Sequence, residues 1–252
     1  MQRRPELPRR LGPQTPQHRA LSTFFGALGV NGVSTSAHDA LLSTMRLQSN
    51  LRDEICTSFD SEQVLLLVEG NVREHRGMNS TRLWKAGIIF GNWAGAPSIE
   101  TFRCIALSAA VFLTARGPDV RHMITRYPEV GLVFARAEIV RSQITDRVYG
   151  ANRLRPEARV ARLLLHLAVN TEPIYRKKET GGRTVVGIAS GGIVQGPTQR
   201  DLADALALGL ATVEKVLSRF RDDGILDAGQ ASRVNRRYWI TDREQLETIA
   251  FW

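Results

Sequence analysis

The chain of 252 residues is long enough for one large domain or two modest ones, each with its own core. Its 43% hydrophobic and 23% charged residues are ordinary for a soluble globular protein, and no apolar run approaches the ~20 residues needed to cross a bilayer. The net charge of +9 is uneven: residues 1–20 carry an excess of four positive charges, 21–149 of one and 150–252 of four, which suits a polyanion bound at an end of the molecule.

In chain order, residues 1–20 combine four prolines with arginines and show no periodicity, the pattern of a disordered basic arm. No apolar stretch follows those arginines, so a secretory signal is not expected, and a cytoplasmic protein of bacterial type is. Residues 21–50 show weak helical patterning. Over 51–115 short apolar runs ("VLLLVEGNVREH", "RLWKAGIIFGN", "FRCIALSAAVFLT") alternate with Gly, Asn and Ser, which predicts an antiparallel β-roll within 21–127.

Pro128 opens a long helix read over 128–152. Its apolar residues Val130, Val133, Ala137, Val140 and Ile144 recur in steps of three and four, flanked by Arg136, Glu138, Arg141 and Asp146. A seam this narrow suits a partner helix, and the simplest partner is a second copy of the chain, with Val133, Ala137, Val140 and Ile144 at the dimer interface. Packing on the roll alone is the other reading. A further helix starts at Pro156, and the Gly-rich "RKKETGGRTVVGIASGGIVQGPT" reads as a hairpin or loop.

Residues 198–226, "TQRDLADALALGLATVEKVLSRFRDDGIL", read as two short helices joined by a tight turn. Thr198 with Asp201 is a capping-box start, and Leu202, Ala203, Ala205 and Leu206 form an inward stripe. Gly209 stands at the break, as a turn residue or an N-cap. Val213, Val216, Leu217 and Phe220 point inward on the second helix, leaving Ala211, Thr212, Glu214, Lys215, Ser218 and Arg219 outside, and Gly224 ends it. "ILDAGQASRVNRRYWIT" then reads as a two-stranded wing with Arg233, Arg236 and Arg237.

"RVARLLLHLA", the helix pair and "YWITDREQLETIA" together resemble the C-terminal winged helix of the Crp/Fnr family of bacterial transcription regulators. Upstream, "VLLLVEGNVRE", "LWKAGIIFGN" and "RYPEV" look like that family's cyclic-nucleotide-binding-like β-roll and dimerisation helix. The resemblance covers roughly residues 50–250. It implies an α+β protein: a cyclic-nucleotide-binding-like roll over 21–127, a dimerisation helix over 128–152 and a winged helix-turn-helix domain over 153–252. Double-stranded DNA and a second copy of the chain are the implied partners, RNA polymerase a further one, and no membrane.

By position in the family, Thr198, Gln199, Arg200 and Thr212 fall where DNA phosphates are held, and Leu210, Ala211, Glu214 and Lys215 where bases are read; Arg219, Arg233 and Arg236 complete the expected surface. Family members commonly carry Ser-Arg where this chain has Gly209-Leu210, and leucine cannot grip a guanine as that arginine does. An unusual operator is therefore expected, and an adaptor that works through protein contacts is the alternative. The ligand pocket departs further. Gly91-Asn92 stands where the family's Gly-Glu pair binds the ribose, and Glu100-Thr101 where Arg-Ser or Arg-Thr binds the cyclic phosphate. Glu100 reverses the charge facing that phosphate, so cyclic AMP and cyclic GMP are not expected as effectors. Arg103 lies two residues on and could face the wrong side of its strand, while Thr145 matches a position that contacts adenine across the dimer.

Neither the five histidines nor Cys56 and Cys104 form a metal or haem motif, and each is read as surface or core filler. The Gly-rich segment lacks the ending of a phosphate loop, and Ser190 misses nucleophile-elbow spacing. No cofactor and no enzyme activity are expected.

Overall fold

The computed structural model describes residues 15–30, 33–57, 62–77, 80–95, 102–150, 152–169, 174–177, 183–187, 191–227 and 236–251. The first element is helix α1 (Pro16–Leu28), with the Thr15 hydroxyl accepting from the His18 amide at 3.3 Å and Pro16 in the first turn. Residues 16–20, expected in the arm, are thus helical. The apolar stripe Leu21, Phe24, Phe25 and Leu28 extends back one turn to buried Ala20, and the Thr-Pro start holds that turn. Residues 1–14 lie outside the described residues.

Helix α2 (Thr35–Thr44), capped by Ser34, precedes eight strands: β1 (Arg46–Asn50), β2 (Ile55–Thr57), β3 (Gln63–Glu69), β4 (Asn71–Arg76), β5 (Ser80–Lys85), β6 (Ile88–Phe90), β7 (Phe102–Ala106) and β8 (Ala110–Arg116). They form the expected antiparallel roll as two four-stranded sheets, ordered β1-β8-β3-β6 and β2-β7-β4-β5. Strand β3 reads as an unbroken apolar run because both of its faces are buried. Leu65 and Leu67 point into the roll, where they meet Trp84, Phe90, Cys104 and Phe112. Val64, Leu66 and Val68 point outward onto the helices.

Helix α3 (Gly117–Arg126) leads into helix α4 (Pro128–Ile144), which closes with a single π turn (Thr145–Tyr149). The seam on α4 faces the chain itself. Val133 is 3% exposed and Ala137 0%, both packed with Phe24, Phe25, Val64 and Leu66, so they are not available to a partner as the heptad spacing suggested. Val140 and Ile144 are half-buried against the same chain. Strand β6, helix α3 and helix α1, which the sequence announces only weakly, together supply the facing surface. The exposed apolar residues of α4 are Leu132, at 73%, and Ile139, at 58%, one heptad apart. Arg141, expected on the flank, is buried.

The C-terminal part comprises helix α5 (Pro156–Leu167), the hairpin β9 (Ile174–Lys177) and β10 (Arg183–Gly187), strand β11 (Gly192–Gln195), helices α6 (Gln199–Leu206) and α7 (Leu210–Asp222), strand β12 (Arg237–Ile240) and helix α8 (Arg243–Phe251). Strand β12 pairs with β11, and Leu226 bridges to Ile240 at its end. The core of this part, built on Leu163, Leu164, Leu202, Val213, Leu217, Phe220, Tyr238 and Leu246, takes in Leu83 and Leu107 from the roll. Polar contacts fasten the two parts: Asn71 Nδ2 donates to Gln195 O at 2.8 Å, Lys85 Nζ to Ala168 O at 3.2 Å, and Arg73 Nη1 meets Asp201 Oδ1 at 2.5 Å. No helix among the described residues is long and apolar enough to cross a membrane.

Candidate nucleic-acid interface and the interior of the roll

Helices α6 and α7 are held at a set angle by a doubly satisfied start and a tight turn. Thr198 and Asp201 form a reciprocal capping box: the Asp201 amide donates to Thr198 Oγ1 at 3.1 Å, and the Thr198 amide donates to Asp201 Oδ2 at 2.7 Å. The other Asp201 oxygen takes Arg73, so one buried carboxylate both starts α6 and docks it on β4. In the turn, Ala207 adopts the left-handed conformation (φ 48°) and Gly209 is the N-cap of α7, one of the two roles open to it in the sequence.

Val213, Val216, Leu217 and Phe220 are buried, fixing the roll of α7 about its axis. The opposite face is therefore presented outward: Ala211, Glu214, Lys215 and Arg219 are exposed and Thr212 is half-buried. Arg200 is exposed at the start of α6, beside half-buried Thr198 and Gln199. Arg219 reaches Glu157 at 3.7 Å and Asp223 at 3.6 Å, yet its side chain is 67% exposed. Two expected contacts are placed differently. Leu210 is half-buried and packs on the domain core, because the first turn of α7 closes over the inner ends of the helix pair. Arg236 at the base of the wing pairs with Asp53 of the roll at 3.3 Å. Arg233 lies outside the described residues.

Inside the roll, helix α4 inserts one guanidinium. Arg141 Nη2 donates to Glu74 Oε1 at 2.6 Å and Nη1 to Ile89 O at 2.8 Å, and its Cζ lies 5.1 Å and 5.3 Å from the ring centroids of Trp84 and Phe90. Glu74 also accepts from Trp84 Nε1 at 2.7 Å and Arg76 Nε at 2.8 Å. Burial would push the Glu74 carboxyl up, but the two guanidiniums outweigh it and hold it below its ordinary value. Period-two alternation along β4 explains why Glu74 points inward while Arg73 and His75 face the C-terminal part. Composition and spacing carried no signal for this pair, whose members lie 67 residues apart.

Of the expected ligand residues, those that are described do not converge on this interior. Gly91 has a structural duty: at φ 93° an added Cβ would lie 2.1 Å from Gln63 O. Asn92 lies in a shallow cleft of about 290 Å³ with Glu62, Ala94, Gly95 and Arg121, and its carbonyl accepts from Arg121 Nη1 at 3.3 Å. Arg103 stands opposite His75 in the ladder, on the face away from its fully buried neighbour Cys104, so it points out of the roll. Thr145 Oγ1 donates to Arg141 O at 2.9 Å. Glu100 and Thr101 lie outside the described residues. Among the described residues, no group of three or more His, Cys, Asp or Glu side chains is placed to hold a metal ion.

Residues 158–249 match the model of the Crp-like helix-turn-helix domain. No protein of curated function matches the sequence. Among solved structures, the chain is similar to FixK2 from Bradyrhizobium japonicum, with 20% identity, 81% of this chain and 96% of that one covered, and a TM-score of 0.57. A CRP-family transcriptional regulator from Thermus thermophilus shares 23% identity over 81% of this chain and 96% of its own, with a TM-score of 0.56. A CooA mutant from Carboxydothermus hydrogenoformans shares 18% over 90% and 95%, with a TM-score of 0.52. At such identities the likeness is one of fold.

Proposed function

Because this chain has the fold of the Crp/Fnr regulators and carries a Crp-like helix-turn-helix domain at residues 158–249, we propose that it is a transcription regulator that binds DNA sequence-specifically, as a homodimer, without cyclic AMP. The observation that carries this reading is the bare outer face of α7, whose inner face is fully buried. Helix α7 then lies in the major groove. Arg200, Thr198, Gln199 and Thr212 hold phosphates, while Lys215, Glu214 and Ala211 meet base edges. Leu210 serves as a packing residue at the groove's edge.

Leu132 and Ile139 are the dimer contacts, since two exposed apolar side chains a heptad apart on one helix suit the same helix of a second copy. The roll works without a cyclic nucleotide because Trp84, Phe90, Phe112 and the Glu74–Arg141 pair fill its interior. Selection from a pool of random duplexes tests the function. The expected product is an inverted repeat with half-sites ~10 bp apart; a pool that enriches nothing, with equal binding to any duplex, overturns it.

A further inference from the structure

The roll contains a second chemical feature that the function above does not use. Cys56 and Cys104 account for every cysteine in the chain, and both are buried, at 5% and 0% exposure, in the same interior cluster. They sit on neighbouring antiparallel strands. Thr57 pairs with Cys104 and Ile55 with Ile105, and the ladder shifts register between residues 55 and 57, which places Cys56 in a bulge against the Cys104–Ile105 step. Cys56 is thus the extra residue between two opposed pairs, one of which contains Cys104, so the two cysteines are near neighbours across adjacent strands. Both thiols are free, and Cys56 Sγ donates to Glu54 O at 3.8 Å.

We propose that Cys56 and Cys104 form a peroxide-oxidisable dithiol that closes reversibly to an intramolecular disulfide between β2 and β7. The two sulfurs have unequal roles. Interaction with Cys104 holds the Cys56 thiol below its ordinary pKa, and the same interaction, with burial, pushes Cys104 well above it. Cys56 is also the nearer to solvent, on a three-residue strand at the edge of its sheet, where local opening costs least. Its thiolate attacks a peroxide oxygen, the O–O bond breaks, and the departing hydroxide takes up a proton to leave as water. The product is a Cys56 sulfenic acid. The Cys104 sulfur then attacks the Cys56 sulfur, the S–O bond breaks, and the hydroxyl leaves with the Cys104 proton as a second water. One hydrogen peroxide is reduced while two thiols become one disulfide.

Having only two cysteines makes the test stoichiometric. The reduced full-length protein is treated with hydrogen peroxide, quenched, denatured and titrated for thiols. The expected result is a fall from two thiols to none per chain, an intact mass lower by two hydrogens, and full recovery with dithiothreitol. In Cys104→Ser, a dimedone label is expected on Cys56. The proposal is overturned if both thiols survive peroxide that oxidises the unfolded chain, if oxidation adds oxygens instead of removing hydrogens, or if the disulfides join separate chains. A dimedone label on Cys104 in Cys56→Ser, with none on Cys56 in the reciprocal variant, overturns the assignment of roles. Because the wild-type thiol count needs no variant, a serine substitution that fails to fold leaves the test intact.

Discussion

The interior of the roll and the outer face of α7 are built in opposite ways. In the roll, a guanidinium from α4 enters between two sheets and is met by Glu74, Trp84, Phe90 and a backbone carbonyl. On α7, four inner residues are buried while Glu214, Lys215 and Arg219 opposite are exposed. The contrast teaches that one chain can close an interior with its own side chains and leave a helix face open. Charge explains the difference. A buried carboxylate tolerates only a partner that neutralises it, and Arg141 already does so. On the proposed function, the α7 surface gains by leaving Lys215 exposed to a polyanion.

The largest effect expected from breaking this contrast comes from Arg141→Ala, which leaves Glu74 charged and buried. Chemical denaturation should show a loss of about 3–5 kcal/mol. A loss under about 1 kcal/mol would mean that the interior admits water and is not closed. Next come the two faces of α4. Val133→Asp buries an unpaired carboxylate and should cost several kcal/mol, whereas Leu132→Asp should change monomer stability by less than about 0.5 kcal/mol. Sedimentation of the latter, combined with Ile139→Asp, should show monomers where the wild type shows dimers. A wild type monomeric at micromolar concentration would remove the dimer from the proposal.

The α7 face is sharpened by a pair of substitutions. Lys215→Ala should relax base preference by roughly 1–3 kcal/mol at one position per half-site. Leu210→Ala should instead lower stability and leave base preference in place, as measured by binding to a panel of single-base operator variants. Equal relaxation by both would return Leu210 to the bases.

A further effect lies on the acid side of the stability curve. His166 packs edge-on against Trp84, and its Nε2 is shut off from solvent without a hydrogen-bond partner, although part of the residue reaches the surface. Burial, then the Lys85 charge, lowers its pKa from 6.5 to about 3. The unfolded chain therefore takes up a proton below pH 6.5 that the folded chain refuses until about pH 3. Stability falls as the pH is lowered across that window, by at most about 1.4 kcal/mol per unit from this group. Glu74 acts in the same direction but lower down: its contribution is present above its ordinary value of 4.5 and lost as pH falls through its depressed folded value. His166→Leu should reduce the slope between pH 6.5 and about pH 5 by about one proton; an unchanged slope would show that His166 already titrates when folded.

Local pattern was enough to determine the helix pair and its order of elements. The Thr198–Asp201 box, the break at Gly209 and the four inner residues of α7 each depend on neighbours three or four positions away, and all stand as the spacing required. The alternating runs of 51–115 likewise specified antiparallel strands, because side-chain period and turn residues are local properties. What covers a face is not local. The heptad-like seam of α4 could be met by a second copy or by the chain itself, and only the packing of the roll, α1 and α3 on α4 decided that Val133 and Ala137 face inward. The same holds for charge: Arg141 and Glu74, Arg73 and Asp201, and Arg236 and Asp53 are separated by 67, 128 and 183 residues. No period in a sequence encodes such a distance; two chain segments must first pack before an arginine's reach of a few ångströms selects its carboxylate.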